Sequence, residues 1–436
     1  MKKKVLLSIL TTGLTVSIAS AQTMRTMTIG ELYAIADSAS QSIRAYTTAH
    51  AASTEAVAAA RSAMLPDVNV SLSGSYLGDG CLMNRHFGEG ERIDMPHWGN
   101  NFSLAASQVL YAGGAISAGI RMAELGEQMA ALDLQKNRQE VRFLLTGYYL
   151  ELYKLGNQVK VLDQNIALTR QVLRNMEARR EQGTVLRNDI TRYELQLQTL
   201  ELQKVKLVDG LHILNQQLVT TLHLPADTRI APDTTLLDMP VERLSEEEWL
   251  TLAGNNNISL QQAALAHEIS QQELKAARAE SLPSLALVAE DHMDGPITIE
   301  VPTIDMNYNY WFVGLGVKYN LSSLWKNNRN LRKAKLNVRH AQENIAVAHE
   351  GIDNGIQAAY TNFLTSFTEV RTQEKSVELA DQNYTVTANR YDNDLALLTD
   401  MLDASNMKLS ASLNLVNARI NLIYNYYKLK YTASSL

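Results

Sequence analysis

The chain has 436 residues, with 40 Lys plus Arg against 46 Asp plus Glu and a single cysteine. A net charge of −6 argues against the basic face of a nucleic-acid binder. One cysteine, Cys81, excludes an internal disulfide framework and a cysteine zinc cage, while 46% apolar and 20% charged residues argue against general disorder.

The first residues read as an address. Lys2, Lys3 and Lys4 precede an apolar run from Val5 to Ile18, and Ala19-Ser20-Ala21 fits a small-x-small cleavage site. Residues 1–21 are therefore expected to be a signal peptide that sends the chain into a bacterial envelope. The other reading, a membrane anchor, needs a run of roughly 18–20 residues. No later segment is long and apolar enough for a transmembrane helix. A chain of this kind enters a bilayer only through strands closed into a barrel.

The remainder repeats. Arg61-Ser62-Ala63-Met64-Leu65-Pro66 resembles Arg278-Ala279-Glu280-Ser281-Leu282-Pro283, 217 residues on, and Arg179 to Gly183 aligns with Arg390 to Asp394 at an offset of 211. Two tandem repeats are expected, residues 22–224 and 246–436, joined by a linker at 225–245. Each reads helix, strand, loop, strand, long helix, turn, helix. The eight prolines stand at 66, 96, 225, 232, 240, 283, 296 and 302, leaving two long stretches free to be continuous helix.

Four runs alternate with period two, the pattern of a barrel strand and also of a half-buried soluble sheet. At 67–77, Val68, Val70, Leu72 and Tyr76 share one face and Asn69, Ser71, Ser73 and Ser75 the other. At 101–111, Phe102 and Leu104 oppose Ser103 and Ser107. At 284–291, Leu285 and Leu287 oppose Glu290. At 310–321, Trp311, Val313, Leu315 and Val317 oppose Lys318 and Asn320. The apolar sets are the expected lipid-facing residues and the polar sets the expected lumen-facing ones. Gly78 to Asn100 and Asp291 to Asn309 read as the loops between them.

The intervening segments, 113–222 and 326–433, read as helical hairpins. Val141, Leu145, Tyr148, Leu152, Leu155, Val159, Leu162, Ile166, Thr169, Leu173 and Met176 step by four and three, a sustained heptad seam. Ile352, Ile356, Ala359, Phe363, Ser366 and Val370 do the same in the second repeat. Gln158, Asn165, Gln171 and Asn175, then Asn406, Ser410 and Asn414, make an uncharged polar set suited to lining water or to a solvated exterior.

Four strands per chain are too few to enclose anything, since single-chain barrels start at about eight. Three copies would supply twelve strands and close without free edges. Arg390-Tyr391-Asp392-Asn393-Asp394, followed by Asp400-Met401-Leu402-Asp403-Ala404, together with the Tyr111-Ala112-Gly113-Gly114 junction, resembles the TolC-like outer membrane efflux proteins. The resemblance covers nearly all of the expected mature chain. It implies a mainly helical protomer of a homotrimer: a 12-stranded outer-membrane barrel in lipid, continued by a long periplasmic helical barrel. It implies a passive export duct working with a periplasmic adaptor and an inner-membrane transporter of RND, ABC or MFS type, in efflux or type I secretion.

Within that resemblance, Asp400 and Asp403 would repeat around a three-fold axis as carboxylate rings at the narrowest point. They also read as helix N-terminal acids that complement the macrodipole. Tyr391 is a candidate for a hydrogen bond across the closed tip or for ordinary packing, and Asp189 is the first-repeat counterpart of the same turn. Two residues depart from the family pattern: Asp394 stands where a glycine is usual, and Ala396 where some members carry an arginine that ties the gate shut.

Catalytic motifs are missing from the sequence. There is no H-E-x-x-H, G-x-S-x-G or phosphate-binding glycine loop, and Cys81, His86 and His97 match no metal cage. Neither an enzyme nor a cofactor is expected. The competing reading is a soluble periplasmic coiled-coil adaptor or scaffold. Adaptors usually have one hairpin, and two tandem hairpins favour the duct.

Overall fold

The computed structural model describes residues 24–233, 241, 244–393 and 395–436. The expected signal peptide, much of the linker and Asp394 lie outside them. In chain order the elements are β1 (Met24–Met27), α1 (Ile29–Ala39), α2 (Gln41–Ser62), β2 (Asp67–Tyr76), β3 (Gly80–Leu82), β4 (Glu91–Ile93), β5 (Trp98–Tyr111), α3 (Ala115–Glu181) and α4 (Arg187–Thr221). They continue with β6 (Arg229–Pro232), α5 (Glu246–Asn256), α6 (Ile258–Ala279), β7 (Ser284–Gly295), β8 (Tyr308–Lys318), α7 (Ser323–Lys326), α8 (Asn328–Asp392) and α9 (Leu398–Thr432).

The repeat is written in the caps. Thr28 opens α1 by accepting the Glu31 N–H (3.2 Å), while the Glu31 carboxylate accepts the Thr28 N–H (2.8 Å). Ser245 and Glu248 form the same reciprocal pair at the start of α5. The offset of 217 holds from these caps through α2 and α6 to the first residues of β2 and β7. At the far ends the offset becomes 211: Leu186 and Leu397 are matching N-caps in extended conformation, and Asp189 and Asp400 are the third residues of α4 and α9. Gly183, at φ +77°, lets the chain turn there, with the Thr184 N–H bonded back to Arg179 O at 3.1 Å. Leu395 N–H closes the same ring on Arg390 O at 2.7 Å.

α3 and α8 have 67 and 65 residues, so each extends about 100 Å. Their heptad seams are turned inward. No member of the α8 seam is exposed, and Leu145, Leu162, Ile166 and Met176 of α3 are buried. The polar set behaves differently from a water-lining face at several positions. Asn165 is buried and donates to Val161 O; Gln158 donates to Asn417 across α3 and α9 at 2.7 Å, and Gln196 to Asn406 at 2.8 Å.

Halfway along the rods lies the largest buried cluster among the described residues. Trp249, Tyr149, Phe363, Leu145, Leu150 and Leu218 are among its buried members, drawn from both repeats. The parallel pair β1–β6 closes over it. The Tyr149 hydroxyl ties the pair down, donating to Met27 O (2.7 Å) and accepting from Asp233 N–H (2.8 Å).

At one end of the rods is a four-stranded antiparallel sheet in the order β2-β5-β7-β8. Its strands outrun the sequence expectation on the loop side: β5 begins at Trp98, β7 runs on to Gly295 and β8 begins at Tyr308. Asp291, His292 and Asp294 look like loop residues, yet each finds a partner in register, Trp311, Tyr310 and Tyr308. On the helix side β8 stops at Lys318. Asn320 is therefore not a strand residue: its backbone and side-chain oxygens accept from Ser323 and Ser322 (2.6 and 2.8 Å), sealing the turn into α7.

The matching turn of the first repeat needs glycine. Gly113 and Gly114 sit at φ +62° and +88°, and a Cβ on Gly113 would lie 2.9 Å from the Leu282 Cβ and 3.1 Å from the Ala279 backbone.

Candidate functional site: a two-faced sheet and a pair of hairpin tips

The strand register sorts the sequence-predicted faces. Val68, Val70, Leu72 and Tyr76 pair with Ala106, Leu104, Phe102 and Trp98. Leu285, Leu287 and Trp311 join the same surface through β7 and β8, with Val313, Leu315 and Val317. A bulge between Val109 and Tyr111 brings Tyr111 opposite Leu285 on this face. The surface is greasy and uncovered: Leu72 is 78% exposed, Val317 71% and Trp311 73%. One acid interrupts it. Asp291 lies between Leu104 and Trp311, its carboxylate accepting from the Asn309 amide at 2.8 Å.

The opposite face carries Asn69, Ser71, Ser73 and Ser75 beside Ser103 and Ser107, then Glu290 and, at the helix end, Lys318. Ser71 and Ser103 share a hydrogen bond at 2.8 Å. His292, Asp294 and Tyr308 extend this face toward the loops beside Tyr310, the first residue of the expected strand, and were missed by treating 291–309 as a loop. The period-two rhythm of Glu290, His292 and Asp294 was the available signal.

The layer is unfinished on both sides at every level. β2 and β8 border the sheet, and they run antiparallel to each other because the strand count is even. All of β2 and nearly all of β8 is exposed, whereas β5 and β7 are largely half-buried. Below the sheet the helices continue in the same order, α2-α3-α6-α8, and beyond the core as α4-α3-α9-α8. The border helices carry uncovered apolar side chains: Leu195, Leu202 and Ile213 on α4, Leu364, Leu379 and Val386 on α8. Counted from the tip these agree in height to within two residues, Val386 with Leu195, Leu379 with Leu202 and Leu364 with Ile213.

At the tips the two hairpins of the chain pack on each other through Met176, Ile190, Tyr193, Leu398 and Met401. Tyr391 is half-buried here, with the Arg179 guanidinium 5.6 Å from its ring centroid. Burial raises the hydroxyl of Tyr193 well above its usual range, with Tyr384 and Tyr391 adding to it, and burial also raises Tyr384. Tyr193 and Tyr384 therefore stay neutral within this packing. Asp400 caps α9 by accepting the Leu397 N–H at 3.0 Å, and it remains exposed, as does Asp403. Asp189 is half-buried in the first turn of α4. Ala396 lies in the turn before α9.

Among the described residues no group of three or more His, Cys, Asp or Glu is placed to hold a metal ion, and no helix is long and apolar enough to cross a membrane. Cys81 is exposed on β3, opposite Arg92 of β4, and His97 stacks on Tyr76 at 5.3 Å.

Comparison with known proteins agrees with this architecture. The model of the family "Outer membrane efflux protein" matches residues 32–222 and 249–430. The outer membrane protein TolC of Salmonella enteritidis is 22% identical over 296 residues, 65% of this chain, and the match spans 59% of that protein's length. Among solved structures, VceC of Vibrio cholerae superposes with a TM-score of 0.77 at 14% identity, covering 93% of this chain and 96% of that one. The outer-membrane channel OprN gives 0.78 at 16% identity over 94% and 90%. CmeC of Campylobacter jejuni gives 0.75 at 16% over 93% and 85%. The chain belongs to the outer membrane efflux protein family and is placed in the outer membrane, its helices reaching into the periplasm.

Proposed function

We propose that three copies of this efflux-family chain close edge to edge into a passive export duct: twelve strands in the outer membrane, continued by a tube of helices through the periplasm. The observation that carries the reading is the matched pair of open borders. An unpaired strand edge in lipid leaves backbone groups unsatisfied at several kcal/mol each. The β8 edge of one copy and the β2 edge of the next continue the antiparallel alternation. In the same assembly the apolar row of α8 meets that of α4 at heights that agree to within about two residues. Two copies would give eight strands, an interior filled by side chains; twelve leave room for water. The greasy face, with Tyr76 and Trp98 near the loops and Tyr111 near the helices, suits lipid between two aromatic girdles.

In this duct Asn69, Ser71, Ser73, Ser75, Ser103, Ser107, Glu290 and Lys318 line the barrel. Asp400 and Asp403 form acidic rings at the periplasmic tips, and Tyr391 packs the tip in its resting position. A periplasmic adaptor engages the tips, and an inner-membrane transporter supplies energy and cargo in a tripartite efflux or type I secretion system. A soluble scaffold would leave the whole greasy face and both strand edges in water.

The test is a cysteine pair across the seam, Leu202→Cys with Leu379→Cys, in a Cys81→Ser background. Oxidation is expected to give a covalent trimer on denaturing gels, with each single cysteine giving none. A ladder ending at dimer, or only monomer, overturns the three-copy duct.

A further inference from the structure

The polar face of the sheet is not uniform. Toward the helices it is mostly Ser, Asn, Ala and Gly, with Val109 and Val288 among them and Asp67 and Lys318 at the end of the strands. Toward the loops it changes character. Asn101, Asp294 and Tyr308 lie side by side in one row across β5, β7 and β8, and Ser103, His292 and Tyr310 in the next. Glu290 follows one step nearer the helices, beside Phe312, so the three ionisable side chains that β7 presents on this face are spaced about 6.8 Å apart along it.

Contacts hold the group as a platform. His292 bonds Glu290 through Nε2 at 2.8 Å and stacks on Tyr310 with ring centroids 5.0 Å apart; Tyr310 stacks in turn on Tyr308 at 5.4 Å. Asn101 donates to the Asp294 carboxylate. The rings are not consumed by this packing, for Tyr308 remains 57% exposed and Tyr310 38%.

We propose that this belt is a binding site for organic cations with a flat apolar body, repeated three times around the outer part of the duct. The proposal rests on the duct reading for its place in a lumen. Its chemistry comes from the sheet alone. Exposed aromatic faces attract a cation through the ring quadrupole and cover its apolar surface. The carboxylates of Glu290 and Asp294 supply charge complementarity and disfavour anions. A small inorganic cation keeps its hydration shell and gains little from the rings. The four strands hold no lysine or arginine among these rows, since Lys318 lies at the opposite end of β8; His292, bonded to Glu290, is the one side chain there that can take up a positive charge, and Asp294 has no such neighbour in its row. The site is thereby specificity-determining for cargo leaving through the loop-side mouth.

The full chain, purified in detergent, is titrated into ethidium and into pyrenesulfonate, a flat anion, with fluorescence anisotropy as the readout. Saturable ethidium binding is expected, at least tenfold tighter than pyrenesulfonate. Glu290→Gln with Asp294→Asn should weaken it at least tenfold, and Tyr310→Leu about threefold to tenfold. Asp291→Asn, one residue away on the other face of β7, should leave it unchanged. Ethidium affinity unaltered in the double variant, or equal affinity for the anion, overturns the site. So does a loss in Asp291→Asn as large as in the double variant, because it would report damage to the sheet. The cysteine cross-link of the preceding section judges the duct separately: trimers with unaltered ethidium binding remove the site and leave the duct. Ethidium binding without trimers keeps the cation site and removes its place in a lumen.

Discussion

The core at mid-rod and the sheet at the rod's end are built from similar residues and solve opposite problems. At mid-rod Trp249 is 1% exposed, packed with Tyr149, Phe363 and side chains of both repeats. In the sheet Trp98 is 79% exposed and Leu72 78%. A Trp contributes by leaving water. The first does so within its own chain; in the proposed duct the second does so only when lipid covers it. One region is completed by the polypeptide, the other by its surroundings.

The largest effect that would sharpen this contrast is Trp249→Ala. It should cost about 3–5 kcal/mol in denaturant unfolding, whereas Trp98→Ala in detergent should stay within about 0.5 kcal/mol. Equal losses would break the comparison. Next in size, Leu315→Arg on the greasy face should cost about 2–4 kcal/mol on insertion into lipid vesicles. Ser71→Arg on the polar face should insert normally, and equal insertion of the two would erase the distinction between faces.

A smaller effect is expected at the junction between the regions. Gly113→Ala forces a left-handed backbone on alanine, on the order of 1–3 kcal/mol, and pushes its Cβ against Leu282 and Ala279. Ser322→Ala, at the second-repeat turn where the residue is right-handed, removes only an exposed hydrogen bond to Asn320 and should cost about 0.5 kcal/mol in the same unfolding measurement. A smaller loss than that of Gly113→Ala belongs to the tips. Asp400→Ala removes the acceptor of the Leu397 N–H and should cost about 0.5–1 kcal/mol. Combined with Asp403→Ala it should lower cation selectivity, or block by multivalent cations, in planar bilayers. Unchanged selectivity and block would leave Asp400 as a helix cap and nothing more.

Much of this was legible in the chain itself. Thr28 with Glu31 and Ser245 with Glu248 announce two helix starts 217 residues apart, because a capping box is satisfied within four residues. Val68, Val70 and Leu72 announce a greasy face, because side chains of a strand alternate whatever lies beside it. Asp400 is visible as a helix-start acid for the same local reason. The error at Asn320 arose where alternation by letter ran past the last hydrogen-bonded rung; serines claim that residue for a turn. The loss of His292 and Asp294 arose the other way. Polar residues that suggest a loop were held in a strand by Tyr310 and Tyr308.

The sequence by itself determined the repeat, the helix and strand segments and the two chemical faces, since each is set by neighbours a few residues away. Only the tertiary structure decided that β5 pairs with β7 across the two repeats, leaving β2, β8, α4 and α8 as open borders. It alone set His292 between Glu290 and Tyr310, and Tyr391 beside Arg179. Those arrangements join residues up to some two hundred positions apart. Backbone hydrogen bonds and ring contacts at that separation leave no local periodicity to read.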